Sequence, residues 1–259
     1  MKFGGGPYYP LPNENYNFTH PKEKFRIYPP NWNGLFMLDL FCCGGGASMG
    51  YWLAGFAVVG VDTVRKRDYP FYQIKADALE ILKDDNFIKS FDAIHASPPC
   101  QFSSITGNLA RSQGRKQSTI NLIEPLRIDL KKTGKPFIIE NVEGSPLEGV
   151  VLCGSMFKLG VQRHRIFETN WPLKVGLMCD HKTTSWPTGP KGKAKPIGIY
   201  GSLNDKIPRG GHTAQTIEEG RGAMGIDWLN WGDLTQSIPP KYTEFIGGQL
   251  RHYINPFKF

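Results

Sequence analysis

No stretch of the 259-residue chain offers the roughly 18 apolar residues that a membrane-spanning helix needs. Residues 35–43 come nearest, and Asp39 interrupts them. The N-terminus lacks the charged-then-apolar pattern of a secretory leader, which points to a cytoplasmic protein. Cysteine is sparse: five residues (Cys42, Cys43, Cys100, Cys153, Cys179), an odd number without a small-domain disulfide framework. A reducing compartment is the natural reading. The GxGxxG spacing of dinucleotide-binding loops is missing, which argues against a nicotinamide cofactor. No internal repeat is present. With 40% hydrophobic and 21% charged residues, a disordered or fibrous chain is excluded.

What the chain has in excess is positive charge: 31 Lys+Arg against 23 Asp+Glu, a net +8. The surplus sits in two segments. Residues 111–135 carry seven basic side chains (Arg111, Arg115, Lys116, Arg127, Lys131, Lys132, Lys135) against Glu124 and Asp129. Residues 171–215 carry seven more, including Lys193 and Arg209, against Asp180 and Asp205. Each segment is net +5 (7 − 2), so the remainder is slightly acidic. Such runs form either a solvated face or a seat for a polyanion.

Apolar runs at residues 35–41, 56–61, 91–96 and 136–142 read as strands buried on both faces. Helix-compatible stretches lie at residues 47–54, 118–132 and 242–253. This alternation predicts an α/β fold: a Rossmann-like core with a mostly parallel sheet covered by helices on both faces. The expected division is an extended N-terminal arm (1–33), a catalytic core (34–170), a small irregular lobe (171–233), and a C-terminal segment returning to the core (234–259). The lobe is dense in Gly, Pro, Lys, Thr and Ser and shows no periodic apolar face.

Three places carry chemistry. The run Asp39-Leu40-Phe41-Cys42-Cys43-Gly44-Gly45-Gly46 forms a first strand-to-helix turn, and Asp62 ends the second strand. An acidic residue there is placed for ribose hydroxyls, so the pair reads as either a nucleoside-cofactor loop or a tight structural turn. Ser97-Pro98-Pro99-Cys100-Gln101 follows the third of these runs and presents a thiol on a stiffened backbone, either a nucleophile or a packed cysteine. Glu140-Asn141-Val142 ends the fourth, where desolvation raises a carboxyl pKa; it is either an acid or a structural anchor.

In order along the chain, DLFCCGGG, Asp62, SPPCQ, ENV, VQRHR (161–165) and IPP (238–240) resemble the DNA cytosine-5 methyltransferases. The likeness covers about residues 35–170 and 234–252, and it is similar to the short, phage-type members with a reduced target-recognition region. Restriction–modification systems are the setting such enzymes imply, in a bacterial or phage-infected cell. The resemblance implies S-adenosyl-L-methionine as cofactor and double-stranded DNA as partner, acting on a flipped base. Cys100 would add to carbon 6 of cytosine, Glu140 would hold the ring at N3, and Arg165, with Arg163, would hold the base and secure Glu140. Asp39, Phe41, Gly44, Gly45, Gly46, Asp62, Asp77, Pro98 and Ser237 would line the cofactor site. Gln101, Ser103, Ser104, Arg111, Arg115, Lys116, Lys193 and Arg209 would contact nucleic acid. A monomer is expected.

The chain departs from the family pattern at Cys43, where a glycine is usual; a positive φ there would cost about 1 kcal/mol. Ala96 and Val161 likewise replace a glycine and a glutamine. Cys179-Asp180-His181 with Cys153 hints at metal ligation, but paired ligand spacing is missing, so no metal is expected and Cys153 reads as packed. An RNA cytosine methyltransferase and a non-catalytic DNA-masking protein are the alternatives.

Overall fold

The computed structural model describes residues 28–99, 121–182, 186, 195–203 and 212–256. Four largely apolar runs drive the centre of the fold, because segments apolar on both faces are stable only when covered on both. Strands β1 (Phe36–Leu40), β2 (Ala57–Asp62), β3 (Tyr72–Lys75), β4 (Ala93–Ala96), β5 (Phe137–Asn141), β6 (Val150–Leu152) and β7 (Arg165–Thr169) form one seven-stranded sheet. Its order is β3-β2-β1-β4-β5-β7-β6. β1, β2, β3, β4 and β5 are parallel, whereas β7 runs antiparallel to β5 and β6.

One face is covered by α1 (Gly46–Leu53) and the C-terminal helix, introduced below; the other by α2 (Ala78–Ile81), α3 (Asp85–Ile88) and α4 (Ile123–Lys132). Beyond the sheet lie α5 (Ile217–Met224), α6 (Trp231–Gln236) and α7 (Pro240–Ile254), with a two-stranded pairing of β8 (Ile197–Gly198) and β9 (His212–Thr213). Helix α7 starts with a proline at its first turn, where no N–H is needed. It lies against α1 closely enough that a Cβ on Gly50 would stand 2.1 Å from the Pro240 carbonyl oxygen. Among the described residues no helix is long and apolar enough to cross a membrane.

Two expectations change. Within residues 171–233, Ala214, Ala223, Met224, Ile226, Trp228 and Leu229 form an apolar cluster with Leu234 just beyond and with Met49 of α1. A lobe without an apolar face was expected; instead this part of it is joined to the core, because its tryptophan and leucines pack without helical spacing. Second, the basic residues of α4 lie away from the carboxyl edge of the sheet. Arg127 is clamped between Glu168 and Glu124, Lys132 pairs with Asp129, and the helix runs down toward the start of β5. Of that segment's charge, Arg111, Arg115 and Lys116 lie outside the described residues.

The expected N-terminal arm is described from residue 28. There Tyr28 and Trp32 meet Phe36 edge to face, and the side-chain amide of Asn31 donates to the Leu53 carbonyl (3.2 Å).

Candidate active site

The turn between β1 and α1 is built on left-handed backbone. Phe41 (φ 59°), Cys43 (φ 44°) and Gly45 (φ 83°) all have positive φ. At Cys43 this is the conformation that the missing glycine would have made cheap. The turn is held from three sides. The Cys43 N–H donates to Asp62 Oδ2 (3.0 Å), whose other oxygen accepts from the Val64 N–H (3.0 Å). The Trp228 indole N–H donates to the Gly44 carbonyl (2.9 Å). Lys66, whose charge acts on the Cys43 thiol, bridges to Asp233 at 2.6 Å.

The glycines have a packing reason besides the turn. A Cβ on Gly44 would meet Leu229 at 2.6 Å, and one on Gly46 the Ile238 carbonyl oxygen at 2.4 Å. Sequence reading assigned these residues to a cofactor; their missing side chains admit the C-terminal chain.

Beneath the turn, Asp39 is fully buried. It accepts from the Ser48 hydroxyl, which also contacts Tyr69 Oη at 2.8 Å, while Asp39 Oδ1 has no hydrogen-bond partner among the described residues. Desolvation, and secondarily the Asp62 and Glu140 charges, push its pKa up to about 7. Of the other residues expected around a cofactor, Asp77 is exposed and caps α2, accepting from Leu79 (2.8 Å). Pro98 and Ser237 are buried; the Ser237 hydroxyl donates to the Asp233 carbonyl (2.9 Å).

At the end of β5, Glu140 is 5% exposed. Burial raises its pKa, opposed chiefly by the Arg165 charge and a Ser97 hydrogen bond, and more weakly by Arg163. Arg165 Nε stands 3.0 Å from Glu140 Oε1, although no aligned hydrogen bond reaches that oxygen. Asn141 turns the other way and donates to the Pro98 carbonyl (3.0 Å), tying β5 to the loop that leads to Cys100.

Sequence reading missed a polar chain behind Glu140. Tyr51 Oη lies 2.9 Å from His95 Nδ1, and His95 Nε2 lies 2.8 Å from Ser97 Oγ. Desolvation holds the His95 pKa down to about 3, so the imidazole is neutral. With its proton on Nε2, Tyr51 donates to His95, His95 to Ser97, and Ser97 to the Glu140 carboxylate. Apart from an isolated histidine in an apolar strand, nothing in the sequence signals this.

Arg163 (φ 39°) spends its guanidinium on three backbone carbonyls: Ser237 (2.7 Å), Thr235 (2.6 Å) and Ile199 (3.1 Å). It thus clasps the segment around α6 to the entry of β7 while adding positive potential near Glu140. Cys100, Gln101, Ser103, Ser104, Arg111, Arg115, Lys116, Lys193 and Arg209 lie outside the described residues.

Residues 35–145, which contain the turn, Asp62, the Ser97–Pro98 loop and Glu140, match the family profile described as C-5 cytosine-specific DNA methylase. The resemblance is to the cytosine-5 DNA methyltransferases. A type II methyltransferase, M1.HphI of Haemophilus parahaemolyticus, is 31% identical over 133 residues, 46% of this chain and 35% of that protein. The match therefore spans about a third of that relative's length. The fold is shared more widely. The Dnmt2 methyltransferase of S. pombe superposes with a TM-score of 0.52 at 14% identity, covering 87% of this chain and 99% of that one. The Entamoeba histolytica methyltransferase EhMeth gives 0.50 at 12%, covering 85% and 97%. The core has the Rossmann-like fold that these methyltransferase structures share.

Proposed function

We propose that the chain transfers a methyl group from S-adenosyl-L-methionine to carbon 5 of a cytosine in double-stranded DNA. The observation that carries this reading is Glu140, buried at the carboxyl edge of the sheet beside Arg165 and tied through its neighbour Asn141 to the loop preceding Cys100.

The residues fit a cationic nucleoside cofactor. Asp39, Asp62 and Glu140 cluster at one end of the sheet; burial chiefly, and the Asp62 and Glu140 charges secondarily, raise the Asp39 pKa, and a positively charged ligand relieves the repulsion. Asp39 Oδ1 lacks a partner, and Asp62 keeps acceptor capacity for ribose hydroxyls. When bound, S-adenosyl-L-methionine supplies an electrophilic methyl group.

Cytosine is a poor nucleophile at carbon 5. The Cys100 thiolate would add to carbon 6, forming a C–S bond and moving the ring's electron pair to carbon 5, which would take the methyl as the donor's sulfonium bond breaks to leave a thioether. Loss of the carbon-5 proton to a base would then expel the thiolate and restore the ring. Glu140 would hold N3, and its raised pKa suits a carboxyl that donates a proton there. Arg165 keeps Glu140 oriented and balances its charge when ionised. A base must leave the helix stack to reach such a site, at a cost of about a few kcal/mol. Residues of the 101–117 loop, with Lys193 and Arg209, are assigned to phosphate contacts by this reading.

Incubation with cofactor carrying a labelled methyl group, and with either duplex DNA or transfer RNA, tests it. Label at DNA cytosine C5 supports the reading. Label in RNA alone transfers the same chemistry to the RNA alternative, and no label in either favours a DNA-masking protein.

A further inference from the structure

The corner between β6 and β7 brings four soft donors together. Cys153, His164, Cys179 and His181 each offer one ligand atom, and all four atoms lie within 4.8 Å of one another. His181 Nε2 stands 3.2 Å from Cys153 Sγ and 2.9 Å from Cys179 Sγ, and His164 Nε2 stands 3.3 Å from Cys179 Sγ. In a tetrahedral zinc site, bonds of about 2.3 Å to sulfur and about 2.0 Å to nitrogen put neighbouring donors about 3.3–3.8 Å apart. The three short separations are at or slightly below that range, and the remaining pairs stay within 4.8 Å.

We propose that this corner is a structural zinc site of the Cys2His2 type. Four protein donors close the coordination sphere, and a tetrahedral S2N2 set selects zinc over harder cations. Two thiolates neutralise the ion, which a half-buried corner tolerates.

The surroundings point the same way. His164 turns Nε2 toward the cluster while its Nδ1 faces the Glu143 carboxylate at 3.6 Å, the arrangement that orients metal-bound imidazoles. The Ser155 hydroxyl donates to Cys153 Sγ (3.2 Å) and reaches Cys179 Sγ at 3.7 Å. The backbone holds Cys153 opposite the segment that carries His164 into β7. The Gly154 N–H donates to the Gln162 carbonyl (2.6 Å), and a Cβ on Gly154 would collide with the Val161 carbonyl oxygen.

The spacing Cys-x10-His-x14-Cys-x-His has no paired-ligand signature, which is why sequence reading expected no metal. His164 stands between Arg163 and Arg165, so the ion would pin the end of β7 from which Arg165 reaches Glu140.

The test is elemental analysis of the full chain, purified without chelator and dialysed against metal-free buffer. One zinc per chain is expected. Cobalt exchange should add the visible bands of a tetrahedral thiolate-bound ion. Cys179→Ser and His181→Ala, both at exposed positions, should lose the zinc while keeping the far-UV spectrum, and Glu143→Gln should weaken zinc binding about 10–100-fold. If the variants do not fold, mercurial titration of the wild type serves instead: zinc should leave as two thiols react.

Three results would overturn the proposal: wild type holding no more zinc than the variants, zinc retained equally in Cys179→Ser and His181→Ala, or zinc release unrelated to thiol modification. A Cys153–Cys179 disulfide, seen as three rather than five thiols in the denatured chain, would overturn it too. None of these readouts depends on methyl transfer.

Discussion

Arg165 Nε lies 3.0 Å from Glu140 Oε1, and the two arrive from strands that run in opposite directions, β7 and β5. The reversal of β7 lets its first residue meet the last residues of β5 at the ligand-binding edge. Glu140→Gln keeps the shape of the side chain but removes both the charge and the ionisable proton. Methyl transfer should fall by about 100-fold or more, with the far-UV spectrum unchanged. Activity within a few-fold of wild type would remove Glu140 from the chemistry.

Ser97 and Arg165 both favour ionised Glu140. Ser97→Ala removes a hydrogen bond to the carboxylate, so the Glu140 pKa should rise further. If the carboxyl acts as an acid, activity falls as pH rises through that pKa. The alkaline limb of the single-turnover pH profile should therefore move to higher pH in Ser97→Ala. A shift to lower pH would contradict this arrangement.

Asp39 has its pKa raised from 3.8 to about 7, mainly by burial. A carboxyl raised on folding contributes stability that is fully present below its unfolded pKa and lost as pH rises through the folded value. Asp39→Asn should therefore gain stability relative to wild type between about pH 4 and about pH 7, by up to about 4 kcal/mol at 1.36 kcal/mol per pH unit. Urea unfolding of both proteins across that range, without cofactor, gives the difference. A constant difference would show that Asp39 does not titrate there.

Cys43 sits at φ 44°, where a side chain is strained. Cys43→Gly should raise stability by about 1 kcal/mol, whereas Cys43→Ala should not. Equal effects in denaturant would refute the strain.

Glycines separate in the same way. A Cβ on Gly50 would stand 2.0 Å from Thr243 Oγ1 and 2.1 Å from the Pro240 carbonyl oxygen; on Gly248 it would meet nothing within 4 Å. Gly50→Ala should cost about 1–3 kcal/mol or more. Gly248→Ala, inside α7, should stabilise by about 0.5–1 kcal/mol. Equal unfolding midpoints for the two variants would argue against the close α1–α7 contact.

Legibility from sequence follows burial. Strands β1, β2, β4 and β5 announce themselves because both faces are covered and nearly every residue is apolar. β3 (YQIK) and β7 (RIFET) are half-exposed and mix polar with apolar residues, so they carry no comparable run. The turn between β1 and α1 was legible down to the positive φ at Cys43, since a short motif with fixed backbone demands shows a substitution plainly. Two features were not: the Tyr51–His95–Ser97 chain, and the meeting of His164 with the Cys153, Cys179 and His181 at which the sequence only hinted. Both join residues far apart in the chain through the sheet, and no local spacing encodes that meeting.

The most direct test of the central claim is covalent capture on duplex DNA carrying 5-fluorocytosine, with S-adenosyl-L-methionine present. Addition of Cys100 to carbon 6 followed by methylation leaves no proton on carbon 5 to eliminate, so the C–S bond should persist. A denaturant-stable protein–DNA adduct should form with wild type and not with Cys100→Ala. An adduct that survives Cys100→Ala, or none with wild type on DNA it methylates, would contradict the account.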